Sequence, residues 1–520
     1  MNLKSITENK YTLSDIFPKH HELWLMVPVV VYLLTPIVHM VSFAFLYKDQ
    51  NDWTFEDYFH FFNTAESAGD YYSPIVHYAF LLGAFFLIPA ILAYIAYAKK
   101  AAYRIVNIDS LPLYFFVLYS VLIIVSSIVN KTEPNYIFGF TSRAEGVLQV
   151  IGYMMIFYLC GSLIKKEKLK KFAVWFFLAT GVVIAALTLI NKYVTDITII
   201  GDEYVSGIFY THNFYAYYLS ISIMLAAGLA ALDESKGCRI IAFLIMCLNT
   251  FVLAINDSMG PFLAAIVSFV FLFVAVTYKN KKFSFAVLGL FAVFMGIVFV
   301  TGLFTPSFFS EFASLGKDVQ KIVENDESAG EAGTLRWTLW THTAHYIKEK
   351  PFIGWGIEGT AERLGTETHA DKAHNEYLEN MAYYGIPAGL CYLGGLIAVY
   401  IKALIKRKSV DKSTIICLAG ALAYIGSAFV GNSFIFIAPF FFIFLGLANN
   451  TTGQYPPYPV KLIEEPDLAE ESSESKESSP ESEPEEAELK SEHIEYEESD
   501  ESVAGEIESE TVISESKTAN

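Results

Sequence analysis

Residues 260–300 read GPFLAAIVSFVFLFVAVTYKNKKFSFAVLGLFAVFMGIVFV, two long apolar runs separated by the basic stretch KNKK at 279–282. Each run is close to the roughly 20 residues that an α-helix needs to cross about 30 Å of hydrocarbon. Similar runs recur along most of this chain, which is 54 % hydrophobic. They predict an all-α polytopic membrane protein, because a transmembrane β-barrel would alternate in segments of about ten residues.

The apolar runs predict about 12 transmembrane helices, with a large loop between the ninth and the tenth. They are placed at 23–46, 75–98, 111–129, 146–163, 172–190, 213–232, 239–255, 261–278, 284–303, 386–404, 414–430 and 434–448. The chain then divides into a leader (1–22), nine spans (23–303), a loop (304–385), three spans (386–448) and a tail (449–520).

Basic residues mark every second connection between these spans. KKAAYR, KKEKLKK, KNKK and KALIKRKSVDK begin at residues 99, 165, 279 and 402. Because short loops rich in Lys and Arg stay on the cytoplasmic side, both termini are predicted to be cytoplasmic. The protein is thus expected in the cell membrane, with segment 304–385 on the outer face.

The charge of the chain is concentrated in its tail. Residues 451–520 hold 22 acidic and four basic residues, while the whole chain has a net charge of −19, so the rest is close to neutral. A segment so rich in Glu and Ser buries too little apolar surface to offset its ordering entropy, which predicts disorder. The tail could dock a partner or be only solvated, and both interpretations are open.

The predicted outer segment is not of low complexity. Stretches 311–325 and 333–350 carry helical apolar spacing, and KPFIGWGIEG at 350–359 supplies a turn. We therefore expect short helices at the outer surface, where tryptophan is favoured. No predicted span has an acidic or basic residue near its middle, which disfavours a carrier. Polar residues gather instead at outer span ends, namely Arg143, His212, Asn213, Asn256 and Asp257.

The stretch HNEYLENMAYYGIPAGL at 374–390 resembles the signature of the O-antigen ligase and O-antigen polymerase superfamily, a His-Asn pair followed by two glycines at a span. LRWTLWTHTAHYIKEKPFIGWGIEG (335–359), SRAEGVLQVIGY (142–153) and THNFYAYYLSI (211–221) are similar to other parts of that pattern. One position departs from it, because Met259 stands in NDSMGPFL where the family often has an arginine.

The resemblance implies transfer of a glycan from a polyprenyl-diphosphate carrier to an acceptor hydroxyl of a glycan, lipid or protein. It also implies an inverting reaction without metal or cofactor, and partners that include membrane lipids but no nucleic acid. Arginine binds phosphate oxygens bidentately, and histidine suits the base that takes the hydroxyl proton. We therefore assign His374 and Arg336 as catalytic. The predicted substrate-binding residues are Arg143, His212, Asn213, Asn375 and Trp340.

Each assignment has an alternative. His374 and Asn375 could cap the tenth span, Arg336 could pair with Glu331, and Arg143 could anchor at the interface. The other open alternatives are a polar pair at His212 and Asn213, interfacial anchoring by Trp337, Trp340 and Trp355, and a base at His342, His345 or His369.

Other functions are also open. The main alternative is a lipid-linked glycan flippase or another transporter, which would need cations inside the spans. The remaining alternatives are a cell-wall polymerase with Asp371 as base and a membrane scaffold for the acidic tail. Glu376 and Glu379 could orient the base, and no sequence feature decides this.

Overall fold

The computed structural model describes residues 21–46, 111–139, 145–194, 211–304 and 335–450, with gaps at 165, 369 and 434–436. It also describes scattered residues between 194 and 211 and between 304 and 335. The predicted second span at 75–98, the leader before residue 21 and the acidic tail after residue 450 lie outside the described residues.

The described part of the chain is helical and contains no β-strand. Its helices are α1 His21–Leu46, α2 Leu111–Val129, α3 Pro134–Phe138, α4 Val147–Tyr158, α5 Glu167–Tyr193, α6 His212–Leu232, α7 Lys236–Asn256, α8 Met259–Lys279, α9 Lys281–Gly302, α10 Arg336–Glu349, α11 Ala361–Thr368, α12 Glu376–Tyr384, α13 Ile386–Ile405, α14 Lys412–Ser427 and α15 Ala438–Asn449. A π-helical turn Leu159–Leu163 extends α4, and a 3₁₀ turn Ala428–Val430 extends α14.

Eight of the described helices are long and apolar enough to cross a membrane, namely α2, α5, α6, α7, α8, α9, α13 and α14 with its 3₁₀ turn. Shorter apolar helices cover Met26–Val38, Val147–Ser162 and Ala438–Asn449. These stretches coincide with predicted spans, and the total of about 12 stays a prediction. Two predicted spans differ in detail, because 146–163 changes to a π-helical turn and the last helix begins at Ala438.

Helix α6 forms the centre of the bundle, because its whole apolar length is buried. It contacts α5, α7, α8, α9 and α14. Close approach depends on small residues, as is usual between membrane helices. A Cβ at Gly228 of α6 would meet the Ile416 side chain of α14 at 2.8 Å, and one at Gly420 would meet Leu225 at 2.7 Å. Larger side chains at Gly228 or Gly420 would therefore force α6 and α14 apart.

The basic connections meet at one end of the bundle, which we call the basic end. Lys171 pairs with Asp233 at 2.5 Å, and Lys412 pairs with Glu234 at 2.9 Å. The buried Lys170 binds Asp411 at 2.8 Å. The connections between described helices alternate between this end and the opposite one, which we call the polar end. The structure thus groups the basic connections at 166–171, 279–282 and 402–412, whereas KKAAYR at 99–104 lies outside the described residues. The side of the membrane that these connections face stays a prediction.

Candidate functional site at the polar end of the bundle

Arg336 is the first residue of α10 and is held by two backbone carbonyls. Its Nε donates to the Val430 carbonyl at 3.2 Å, and one terminal nitrogen donates to the Gly333 carbonyl at 3.0 Å. Leu335 before it has a φ of 68°, in the left-handed region. The guanidinium is therefore fixed between the start of α10 and the connection that follows α14.

His212 and Asn213 begin α6 beside this arginine. The His212 imidazole lies within electrostatic range of both Arg336 and Asp257. Asn213 accepts a hydrogen bond from Ser258 Oγ at 3.4 Å. The structure thus brings His212, and Asn213 next to it, to the same end as Arg336, although more than 120 residues separate them in sequence.

Met259 starts α8 in this neighbourhood, at the position where the family often has an arginine. Its side chain packs against the apolar core. The arginine that the family pattern leads one to expect here is thus replaced by a hydrophobic residue, and Arg336 is the nearby cation that the described residues show.

His374 and Asn375 lead into α12, a separate helix before the span α13. Asn375 Oδ1 accepts hydrogen bonds from the backbone N–H groups of Tyr377 and Leu378 at 3.1 and 3.0 Å. Asn375 is therefore an N-cap, but of α12 and not of the tenth span as the alternative interpretation had it. The two helices are separated by Gly385, whose φ of 88° ends α12. A substrate-binding role for Asn375 stays a prediction.

The segment 428–433 after α14, called here the 428–433 connection, joins the two halves of the site. Phe429 makes ring contacts with Trp340 of α10 at 5.6 Å and with Tyr377 of α12 at 6.4 Å between centroids. Tyr377 also donates its hydroxyl to the Ile425 carbonyl at 2.6 Å. The Val430 bond to Arg336 and the Phe429 contact with Tyr377 therefore fasten both the arginine and the helix that His374 precedes to the 428–433 connection, while the Ile425 bond adds a contact with α14.

Trp340 was predicted to bind substrate or to anchor at the interface. Its ring is half-buried against Phe429, and its indole N–H is buried with no acceptor in the described part of the chain. An unsatisfied buried donor costs about 1–3 kcal/mol. This cost makes a hydrogen bond to a bound molecule favourable at Trp340.

A buried ion cluster lies next to this site and was not anticipated. Lys372 Nζ is 3.2 Å from Glu358, 3.2 Å from Glu379 and 3.8 Å from Glu145. Glu376 accepts hydrogen bonds from Tyr392 at 2.5 Å and Tyr424 at 2.8 Å. Four of these charged residues, Glu145, Lys372, Glu376 and Glu379, line a cavity of about 40 Å³ that we call the acidic cavity. Glu358 adjoins it through its pairing with Lys372.

The acidic cavity holds more carboxyl groups than its one lysine can neutralise. Burial raises the pKa of Glu376 to about 7, although the hydrogen bonds from Tyr392 and Tyr424 favour the ionised form. Burial likewise raises the pKa values of Glu358 and Glu379, while Lys372 opposes this. The volume is on the order of a few water molecules, so a hydroxyl group fits where a sugar ring does not.

The alternative histidines are placed differently from His374. His342 bonds Glu367 at 2.6 Å and His345 pairs with Glu349 at 3.1 Å, and both imidazoles are exposed on α10. Arg143, Glu331 and His369 lie outside the described residues, so the assignments made for them stay predictions. Glu376 accepts hydrogen bonds from Tyr392 and Tyr424, and Glu379 pairs with Lys372. Their predicted role in orienting the base stays a prediction.

Left-handed backbone is concentrated at the polar end. In the described part of the chain, the non-glycine residues with positive φ are Lys131, Asp257, Leu335, Glu358 and His374. Each such residue costs of order 1–3 kcal/mol and persists where the surroundings determine it. Leu335 adjoins Arg336, Glu358 pairs with Lys372 of the acidic cavity, and His374 is itself a predicted catalytic residue. Part of the site is therefore built on backbone conformations that cost free energy in the folded protein.

Together these features define a multi-pass α-helical membrane protein whose polar residues Arg336, His212 and Asn213 lie at one end of the bundle. Residues 241–393 match the family model described as O-antigen ligase. This match agrees with the resemblance to the O-antigen ligase and polymerase superfamily that the motifs indicated, over the part of the chain that it covers. The match includes Arg336 and His374 but stops short of Arg143 and His212 on the N-terminal side. No curated protein sequence matches the chain.

Proposed function

We propose that this protein transfers a glycan from a polyprenyl-diphosphate carrier to an acceptor hydroxyl, with Arg336 holding the diphosphate and His374 taking the hydroxyl proton. The observation that carries the proposal is the contact of both Arg336 and Tyr377 of α12 with the 428–433 connection. This shared contact supports the proposal because Arg336 and the helix that follows His374 belong to the same end of the bundle.

The start of α10 suits a diphosphate. Arg336 is the first residue of a 14-residue helix, and no side chain caps its N-terminus. A helix N-terminus carries partial positive charge and binds anions, and an arginine there adds a full charge and planar donors. His212, Asn213 and the indole N–H of Trp340 supply further polar groups for the donor, in the roles predicted for them.

The acidic cavity suits the acceptor. Carboxylates repel a diphosphate but accept hydrogen bonds from sugar hydroxyl groups, and the cavity has room for a hydroxyl. The two sides of the site thus differ in charge, which favours one orientation of donor and acceptor. In the proposed reaction the acceptor oxygen attacks the anomeric carbon of the donor sugar, and the bond from that carbon to the diphosphate oxygen breaks.

The proton of the acceptor hydroxyl passes to His374, and the electron pair leaves with the diphosphate, whose charge Arg336 stabilises. A single displacement of this kind inverts the anomeric centre. No metal ion is required by these steps, and independence of metal is part of the proposal. The proposed acceptor is a hydroxyl group of a glycan, a lipid or a protein.

The test is glycan transfer in proteoliposomes that contain the full-length protein and lipid-linked glycan extracted from the source cells. Arg336→Ala is expected to lower the rate about 10²–10³-fold, the effect of losing one charge-stabilising donor. His374→Ala is expected to lower it about 10²–10⁴-fold, as for a general base. Both variants must keep the melting temperature of the wild type within a few degrees.

Matched controls separate these roles from general effects of substitution. His345→Ala removes an exposed histidine of α10, and Arg407→Ala removes an exposed arginine at the basic end. Both controls should keep the wild-type rate. A wild-type rate for His374→Ala would show that the base is another group. Movement of lipid-linked glycan across the bilayer without transfer would replace the proposal by the transporter alternative.

A further inference from the structure

A groove of about 590 Å³ opens between α7 and α9 at the basic end, far from the polar residues of the site. Its floor and walls are apolar and include Ile240, Phe243, Gly289 and Val293. Lys236 and Arg239 complete the lining. Both helices are apolar enough to cross a membrane, so this groove faces the lipid phase near one surface of the bilayer.

The two cations stand where a helix tolerates them least. Lys236 is the first residue of α7 and Arg239 follows one turn later, while the first turn contains no acidic residue. Positive side chains at a helix N-terminus are unfavourable, because that end already carries partial positive charge. Arg239 Nε donates to the Ala230 carbonyl at 2.9 Å, which holds the guanidinium in place at the groove.

The nearby carboxylates have other partners. Asp233 and Glu234 precede α7 and pair with Lys171 at 2.5 Å and Lys412 at 2.9 Å. The positive charge at the groove therefore combines Lys236, Arg239 and the start of a 21-residue helix. Such a combination matches an anion, and the adjoining apolar walls match a hydrocarbon chain.

We propose that this groove binds an anionic phospholipid, with the phosphate on Lys236 and Arg239 and an acyl chain along Ile240, Phe243 and Gly289. Basic pockets between membrane helices on the cytoplasmic side bind anionic headgroups in this way. The basic end is the side predicted to be cytoplasmic, where Lys and Arg are enriched. The inference is independent of glycan transfer, because it uses none of the residues of the polar end.

Gly289 provides a substitution that can fill the groove without disturbing the bundle. A Cβ at Gly289 would have no atom within 4 Å, and the same holds for Gly296 two turns later on α9. Gly296 does not line the groove. Because both glycines are exposed and helical, replacing either one by tryptophan raises helix propensity by a similar amount. Gly296→Trp is thus a matched control for Gly289→Trp.

The experiment measures lipid binding to the full-length protein in detergent by native mass spectrometry and by thermal unfolding. Phosphatidylglycerol and phosphatidylcholine are titrated in parallel into the wild type and the variants. The wild type and Gly296→Trp are expected to bind phosphatidylglycerol and melt higher, whereas Gly289→Trp is not. The double variant Lys236→Gln/Arg239→Gln should bind roughly thirty-fold more weakly, since each cation contributes about 1 kcal/mol.

Three results would overturn the proposal. Equal stabilisation by phosphatidylcholine would show that the groove binds both lipids alike and that Lys236 and Arg239 do not favour the anionic one. Undiminished binding of phosphatidylglycerol to Gly289→Trp would place the lipid elsewhere. A lower melting temperature of Gly289→Trp than of Gly296→Trp in the absence of lipid would show that a protein segment or a second copy already fills the groove.

Discussion

Replacing Glu376 by glutamine should change how stability depends on pH, because Glu376 is buried and its pKa is raised to about 7. The folded protein keeps this proton up to about pH 7, while an unfolded chain loses it near pH 4.5, the ordinary pKa of a glutamate side chain. Between these two pH values the folded state binds more protons, so the free energy of unfolding falls as pH rises and is level above about pH 7.

The size of the effect follows from the two pKa values. The difference between 4.5 and about 7 corresponds to about 3 kcal/mol of stability that the wild type loses as the carboxyl ionises. Glutamine has nearly the same shape, can still bond Tyr392 and Tyr424, and never ionises. Glu376→Gln should therefore be close to the wild type at pH 5 and more stable than the wild type by up to this amount at pH 8.

The assay is thermal unfolding of the purified protein in detergent from pH 5 to pH 8, with the exposed Glu362→Gln as control. Glu358 and Glu379 also have raised pKa values, so both proteins keep some slope, and the difference between their curves isolates Glu376. Parallel curves for Glu376→Gln and the wild type would refute the reasoning. They would mean that Glu376 is already ionised in the folded protein at pH 5.

Three further substitutions test contacts of the same end. Lys372→Met removes the cation shared by three buried carboxyl groups and should lower the free energy of unfolding by about 3–5 kcal/mol. The double variant Lys372→Met/Glu379→Gln should regain part of this loss, because one of the unpaired carboxylates is then removed. Asn375→Ala removes the cap of α12 and should cost about 1 kcal/mol, seen as faster hydrogen exchange at 377–379, while Asn375→Asp should not. Gly431→Ala would place a methyl group against the Tyr217 hydroxyl and should lower the melting temperature, with relief in the double variant that also carries Tyr217→Phe. Unchanged values for any of these would contradict the contact concerned.

The helices were predictable because each apolar run carries its own signal. The runs around α8 and α9 are long, continuous and separated by KNKK, and the structure has helices there with bounds within a few residues of those expected. The π-helical turn at the end of α4 was not predictable, since it depends on neighbours that pack against it. The close contact of Gly446 with Cys160 and Phe157 is of this kind.

The site was predictable only where a motif marked it. Arg336, His374 and Asn375 lie in recognisable patterns, and the structure places them at one end of the bundle. The acidic cavity was not predictable as a cluster. Glu376 and Glu379 were considered for orienting the base, but Glu145 and Glu358 lie on other segments, and the fold brings these carboxyl groups close to Lys372. The capping of α12 by Asn375 could have been expected from the residue type, but the break at Gly385 that makes α12 a separate helix could not.

The 428–433 connection has a consequence for biosynthesis. Arg336, Trp340 and Tyr377 all contact a segment that is made after α14 and just before α15, the last helix in the described part of the chain. A ribosome that stops before this segment releases a chain with most of its membrane helices but without the attachment that fixes the arginine. The contacts that hold Arg336 at the polar end therefore form last, and a chain that stops before residue 428 lacks them.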